Sequence, residues 1–161
     1  MVKWVESVLV AINGSEASIS AMKCAIALGK LHDTRVAACY VVDTATIRQL
    51  ALSRIFIQEE SEEYERSLEM SGKRYLGLCA ELAKQKGVEI QLLLKKGSVP
   101  GEIIKAAMEL NADMIFLGGN PQEPQYRDVI AEANREIVKN ARCSVLVVKP
   151  HTGDEIYKKL P

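Results

Sequence analysis

The chain reads as an α/β fold, a doubly wound five-stranded parallel sheet with helices on both faces. Two observations predict this. Strand-like and helix-like segments alternate from end to end, which is the signature of βα units. Most strand candidates are continuous apolar runs rich in β-branched residues, as in strands covered on both faces. Right-handed crossovers then place helices on either side of the sheet.

The elements follow in order. Val8–Ile12 is an apolar strand that ends in Asn13-Gly14-Ser15. A helix follows with Ala17, Ala21, Cys24, Ala25, Leu28 and Leu31 as its buried stripe, and Ser15 is placed as its N-cap. Val36–Val42 is the second strand. Asp43 to about Gln58 reads as loop with a short helical piece, and its role is open between lid, contact surface and plain core packing. A long helix covers about Glu59 to Lys86, with Tyr64, Leu68, Tyr75, Cys79 and Leu82 inward and Gly87 as its stop. Val88–Leu94 alternates apolar with polar residues, which suggests a strand near the sheet edge. The next helix spans about Pro100–Leu110, and Met114–Leu117 is the fourth strand. Pro121 and Pro124 keep the following stretch as loop. A helix over about Arg127–Ala141 buries Ile130, Ala133, Ile137 and Ala141. The strand Val145–Val148 closes a domain over residues 1–149, and Pro150–Pro161 reads as a polar tail.

Composition narrows the function classes. The chain has 161 residues, 48% of them hydrophobic, with 21 basic and 21 acidic side chains. That balance gives no electrostatic footprint for nucleic acid or an anionic membrane. The apolar runs are too short to span a bilayer. The N-terminus lacks a secretory cleavage pattern, so a cytoplasmic address is expected. Cys24, Cys39, Cys79 and Cys143 are widely spaced without a CxxC, and fit buried small hydrophobes. His32 and His151 show no Cys, Asp or Glu partner at ligand spacing, so no metal site is expected.

No catalytic set is visible. Ser15 lies in a strand-to-helix turn, but the sequence is not the G-x-S-x-G elbow. His32 lies about 24 Å along the following helix at about 1.5 Å per residue, too far to serve as base. A ligand in such a sheet sits beyond the carboxyl ends of the strands, where the strand order reverses. Glycines after the first and fourth strands, Gly14 and Gly118-Gly119, make those strands the expected flanks of the switch point.

Four segments together resemble the universal stress protein family, the UspA-like group. VLVAINGSEAS is similar to that family's strand ending in Asp-Gly-Ser. Tyr40-Val41-Val42-Asp43 resembles its second strand ending in Asp. GSVPGEIIKAAMELNADMIFLG resembles its Gly-Pro-helix-Ala-Asp-strand-Gly signature, and NARCSVLVVKP its closing strand. The resemblance spans about Val5 to Lys149. It implies the adenine nucleotide alpha hydrolase-like sheet and a homodimer through the last strand. It also implies a nucleotide pocket at Ile12, Asn13, Val41, Leu117, Gly118, Asn120, Pro121, Ala131, Glu132 and Ala133.

The family's ATP-binding members carry G-x2-G-x9-G-[S/T], and this chain departs from it. Gly118 fits the first glycine, but Pro121 replaces the second, and Ala131-Glu132 stand where glycine and a hydroxyl residue belong. Asn13 replaces the usual aspartate. Proline removes an N–H donor and cannot adopt the positive φ of glycine. The hydroxyl would assist a phosphate at a helix N-terminus, whereas Glu132 brings a carboxylate. Two like charges about 4 Å apart repel by roughly 4 kcal/mol at an effective dielectric near 20. A magnesium ion bridging them reverses that sign. Glu132 also has a plainer reading as a first-turn helix charge, and a third as a phosphate mimic holding the loop closed. Gly118-Gly119 fits either a tight turn or a surviving pocket.

Two functions follow. One is a non-enzymatic, cytoplasmic stress-response dimer without tight ATP binding and with no cofactor. The alternative is an adenine-nucleotide (ATP or AMP) sensor or slow ATPase, in which Asn13 and Val41 match positions that contact ribose and adenine. Independently of the resemblance, Val145–Val148 would be an exposed edge that antiparallel pairing with a second copy would satisfy.

Overall fold

A computed structural model describes residues 2–119 and 129–161, with the side chains of Val129 and Ile130 outside that description. Its elements are β1 (Ser7–Ile12), α1 (Glu16–His32), β2 (Arg35–Asp43), α2 (Thr44–Leu52), α3 (Gln58–Gln85) and β3 (Ile90–Gly97). They continue with α4 (Val99–Glu109), β4 (Met114–Gly118), α5 (Val129–Asn140), β5 (Ser144–Val148) and α6 (Thr152–Lys159). The five strands form one parallel sheet in the order β3-β2-β1-β4-β5. The order reverses between β1 and β4, as the glycine positions suggested. Half-polar β3 is an edge strand, again as expected.

Alternation along the strands builds two cores. Val8 and Val10 of β1, Val36, Ala38, Tyr40 and Val42 of β2, and Phe116 of β4 face α1 and α3. Leu9, Ala37, Cys39, Val41, Ile115 and Leu117 face the other way, onto Ile103, Ala106 and Ala107 of α4 and Ile137 of α5. Every second residue therefore serves a different helix layer. Cys24, Cys39 and Cys79 are buried in these cores and Cys143 is half-buried. Burial pushes the Cys39 and Cys79 thiols up to about 12, which makes them inert hydrophobes.

The Ala112-Asp113 pair before β4 has a structural job. The Asp113 carboxylate accepts the N–H groups of Glu6 and Ser7 at 2.8 and 3.0 Å. It thereby ties the start of β1 to the start of β4. Asp43 likewise caps α2, accepting the Thr46 N–H at 3.1 Å and its hydroxyl at 2.7 Å. That cap explains why Thr44 onward is a regular helix, where loop with a short helical piece was expected. Tyr64 and Leu31, expected inward, are 44% and 59% exposed. Tyr64 sits on the part of α3 that packs beside α2, edge-on to Phe56 with ring centroids 5.6 Å apart.

Residues Pro150–Pro161 correct the expectation of a polar tail. They carry α6, which docks across α1 and the end of α3. The Ser20 hydroxyl, buried on α1, donates to the Lys149 carbonyl and accepts the Gly153 N–H, both at 2.7 Å. The Tyr157 hydroxyl donates to the Leu82 carbonyl at 2.8 Å, Lys86 lies over the Tyr157 ring at 4.7 Å, and Leu160 is buried. The polar periodicity of TGDEIYKK concealed a helix held by one ring, one glycine and one terminal leucine. Among the described residues, no helix is long and apolar enough to cross a membrane.

Gly153 is the tightest point of this contact, because a Cβ there would overlap the Ser20 backbone. Gly153→Ala is expected to undock α6 and to cost about 1–3 kcal/mol, the usual range for overpacking. Urea unfolding would measure the loss, and proteolysis near residue 150 should accelerate. Unchanged stability would show that α6 contributes nothing to the fold.

Candidate functional site

A cleft opens at the carboxyl ends of β1 and β4, where the strand order reverses. It encloses about 140 Å³, and Asn13, Tyr40, Val41, Gly118, Ala133 and Asn134 lie along its walls with Ala11, Ile12, Val99, Ile103 and Ile137. Of the ten residues expected to form a pocket, Ile12, Asn13, Val41, Gly118 and Ala133 meet here. Leu117 instead faces the α4–α5 core. Ala131 is buried and Glu132 exposed in the first turn of α5, and neither is among the lining residues. Asn120 and Pro121 lie outside the described residues, as does the region of the expected helix start near Arg127.

The first wall is the β1–α1 turn. The Asn13 side-chain oxygen accepts the Ser15 N–H at 2.9 Å, and the Ser15 hydroxyl oxygen accepts the Ser18 N–H at 3.1 Å. Ser15 is thus the N-cap of α1, as expected, and Asn13 spends its acceptor on the turn. An aspartate would hold this turn equally well, so the exchange preserves the local geometry while removing a charge. The second wall is the end of β4. Gly118 approaches α1 so closely that a Cβ would overlap the Ala17 and Ser18 backbone. Only glycine lets β4 end this near the first turn of α1.

Asn134 closes the third side. It is 8% exposed, and its amide donates to the Gly118 carbonyl at 3.0 Å. The bond ties α5 to the end of β4 directly across the cleft. Sequence reasoning placed Ala133 in the buried stripe instead. The 3.6-residue spacing from Ile137 selects position 134 equally well, so a polar residue in an apolar register was the missed signal. Tyr40 stacks on Tyr75 with centroids 6.3 Å apart. Burial, together with its tyrosine neighbours, raises its hydroxyl above the ordinary range.

His151 corrects the expectation of no acidic partner: Asp154 stands one helical turn on, and folding brings Glu16 beside both. One ligand-type atom each from Glu16, His151 and Asp154 lies within 4.8 Å of the others. Lys23 already pairs with Asp154 and holds its carboxyl below the ordinary range. The cluster sits on the first turns of α1 and α6, whose amide ends favour carboxylates over a cation. Within it Lys23 offsets the charge of Asp154, and Glu16 forms no salt bridge among the described residues.

The comparisons decide the family. The model of the universal stress protein family matches residues 5–149. The chain belongs to that family. Universal stress protein MJ0531 of Methanocaldococcus jannaschii is 29% identical over 144 residues, covering 89% of this chain and 82% of the relative. Among solved structures, hypothetical protein MJ0577 superposes with a TM-score of 0.75 at 20% identity, covering 91% of this chain and 97% of that one. A universal stress family protein of Arabidopsis thaliana with AMP bound superposes at 0.63 with 18% identity, covering 89% and 90%. At those identities the structural likenesses show the fold alone.

Asn134→Ala should leave the Gly118 carbonyl without its partner and cost about 1–3 kcal/mol, as a buried unsatisfied acceptor does. Thermal unfolding of the variant checks this. Asn134→Asp should cost at least as much, because its carboxylate would face the carbonyl oxygen. A neutral outcome for both would show that the bond does not hold the cleft together.

Proposed function

We propose that this universal stress family protein acts without catalysis, as a stress-response dimer that does not bind ATP tightly. The size of the cleft carries the reading. Small-molecule pockets usually enclose about 300–1,000 Å³, and the cleft here encloses about 140 Å³. Two larger depressions, of about 300 and 600 Å³, lie away from the switch point. The polar side chains in the cleft are Asn13, Tyr40 and Asn134. Neither carboxamide transfers protons near neutral pH, and the phenol is shifted away from it. Glu132 adds a negative charge to the first turn of α5, where a phosphate would seek the amide ends. Pro121 has no N–H to offer by covalent structure alone.

Equilibrium dialysis with ATP and magnesium is expected to give no low-micromolar binding. Restoring the motif with Pro121→Gly, Ala131→Gly and Glu132→Ser together should raise ATP affinity by at least tenfold, since removing one close repulsion is worth roughly 4 kcal/mol. Tight binding by the unmodified chain would refute the reading.

A second reading has its own support. Asn13, Val41 and Gly118 converge on one cleft, and the Arabidopsis relative holds AMP. A pocket that keeps base and ribose contacts while losing phosphate contacts would favour AMP over ATP. The same dialysis with AMP separates the two readings.

The dimer rests on β5. Its outer edge pairs with no strand among the described residues, and Leu146 and Val147 are 44% and 42% exposed. Antiparallel pairing with a second copy would satisfy the open amides and cover these side chains. Sedimentation should show a dimer at micromolar concentration that Val147→Lys shifts to monomer. A monomeric unmodified chain would remove the proposal.

A further inference from the structure

The corner between α2 and α3 exposes apolar side chains that the fold does not use. Leu52, Ile55 and Ile57 are 77%, 63% and 60% exposed within six residues. The corner is nonetheless built in detail. The Ile55 and Phe56 N–H groups both donate to the Leu50 carbonyl, at 2.9 and 3.2 Å, and Phe56 packs on Tyr64. Beside it runs a groove of about 600 Å³ lined by Ile47, Ala51, Phe56, Ser61 and Glu62, among others. The Ser61 hydroxyl oxygen is buried there without a hydrogen-bond partner.

Charge distinguishes this surface from an ordinary apolar patch. Glu59, Glu60, Glu62 and Glu63 are exposed along the first two turns of α3, and none forms a salt bridge among the described residues. Glu65 and Glu69 further along are held by Lys96 at 3.4 and 3.1 Å. Arg66 is the cation in the groove, and Arg48 and Arg54 are exposed on α2 and the corner beside it, three cations against the acids of α3. Acids in a first helical turn are favoured by its amide end, which accounts for Glu59 and Glu60. It accounts neither for the second turn nor for the isoleucines beside it.

We propose that this groove docks a basic amphipathic helix of a partner protein. An apolar helix face would cover Ile55 and Ile57 and fill the groove, while flanking Lys or Arg side chains would meet the α3 carboxylates. This is the helix-in-groove mode with charge steering added. An anionic membrane surface would be repelled by the same acids. A second copy has the β5 edge to pair with, at the opposite side of the sheet.

Fluorescence anisotropy with a labelled helical peptide of about 18 residues, roughly five turns, tests this. The probe places Leu on one face and Lys on the other; its counterpart replaces Lys with Glu. The Leu/Lys peptide is expected to bind the unmodified protein and to weaken several-fold as salt rises from about 0.05 to about 0.3 M. Ile55→Asp/Ile57→Asp should bind at least tenfold more weakly. Both side chains are exposed, and circular dichroism will confirm that the variant folds. Three outcomes overturn the proposal: no binding, equal binding of the Leu/Glu peptide, or full binding by the variant. Co-sedimentation with phosphatidylglycerol vesicles, or self-association abolished by the variant, overturns it in favour of a membrane or a second copy.

Discussion

The close approach of Gly118 to the first turn of α1 is the constraint on which the switch point depends. Where β4 ends, backbone meets backbone with no room for a Cβ. That contact fixes how near the carboxyl ends of β1 and β4 come to α1. The N-cap at Ser15 and the Asn13 turn hold the α1 side of this contact. The Gly119 N–H, donating to the Val148 carbonyl at 2.9 Å, holds the β5 side. The remaining walls are the side chains of Tyr40, Val41, Val99, Ile103 and Ile137, with Asn134 on the third side.

Asn134 stands there, and its effect is opposite to that of a small residue. A carboxamide reaching from α5 to the Gly118 carbonyl fills space and satisfies an acceptor at the same time. The buried bond offsets the cost of placing a polar group in an apolar register. Ala131 and Glu132 stand in the first turn of α5, just before Asn134 and outside the lining of the cleft.

Much of this was legible in the sequence because strand alternation and helix periodicity report burial directly. The continuous apolar runs Val8–Ile12 and Val36–Val42 imply a doubly covered sheet, the polar alternation of Val88–Leu94 marks its edge, and the glycines after the first and fourth strands mark the switch point. Three departures, beside the Asp43-capped α2 and the exposed Tyr64 and Leu31, have separate physical causes. The α6 helix has few apolar residues, and its docking uses Gly153, Tyr157 and Leu160 against α1 and α3, which no local pattern reveals. Asn134 was passed over because periodicity tolerates either of two neighbouring positions, and the apolar one seemed the better fit. His151 gains Glu16 as a neighbour across more than a hundred residues of sequence, a pairing that only the docking of α6 creates.

The position of α6 also ties the end of β5 to the helix that borders the cleft. The Ser20 hydroxyl bonds both the residue that follows β5 and the first turn of α6. Ser20 lies one turn along α1 from Ala17 and Ser18, the residues pressed against Gly118. One stretch of α1, from Ala17 to Ser20, thus contacts the cleft wall and the exit of the β5 edge strand.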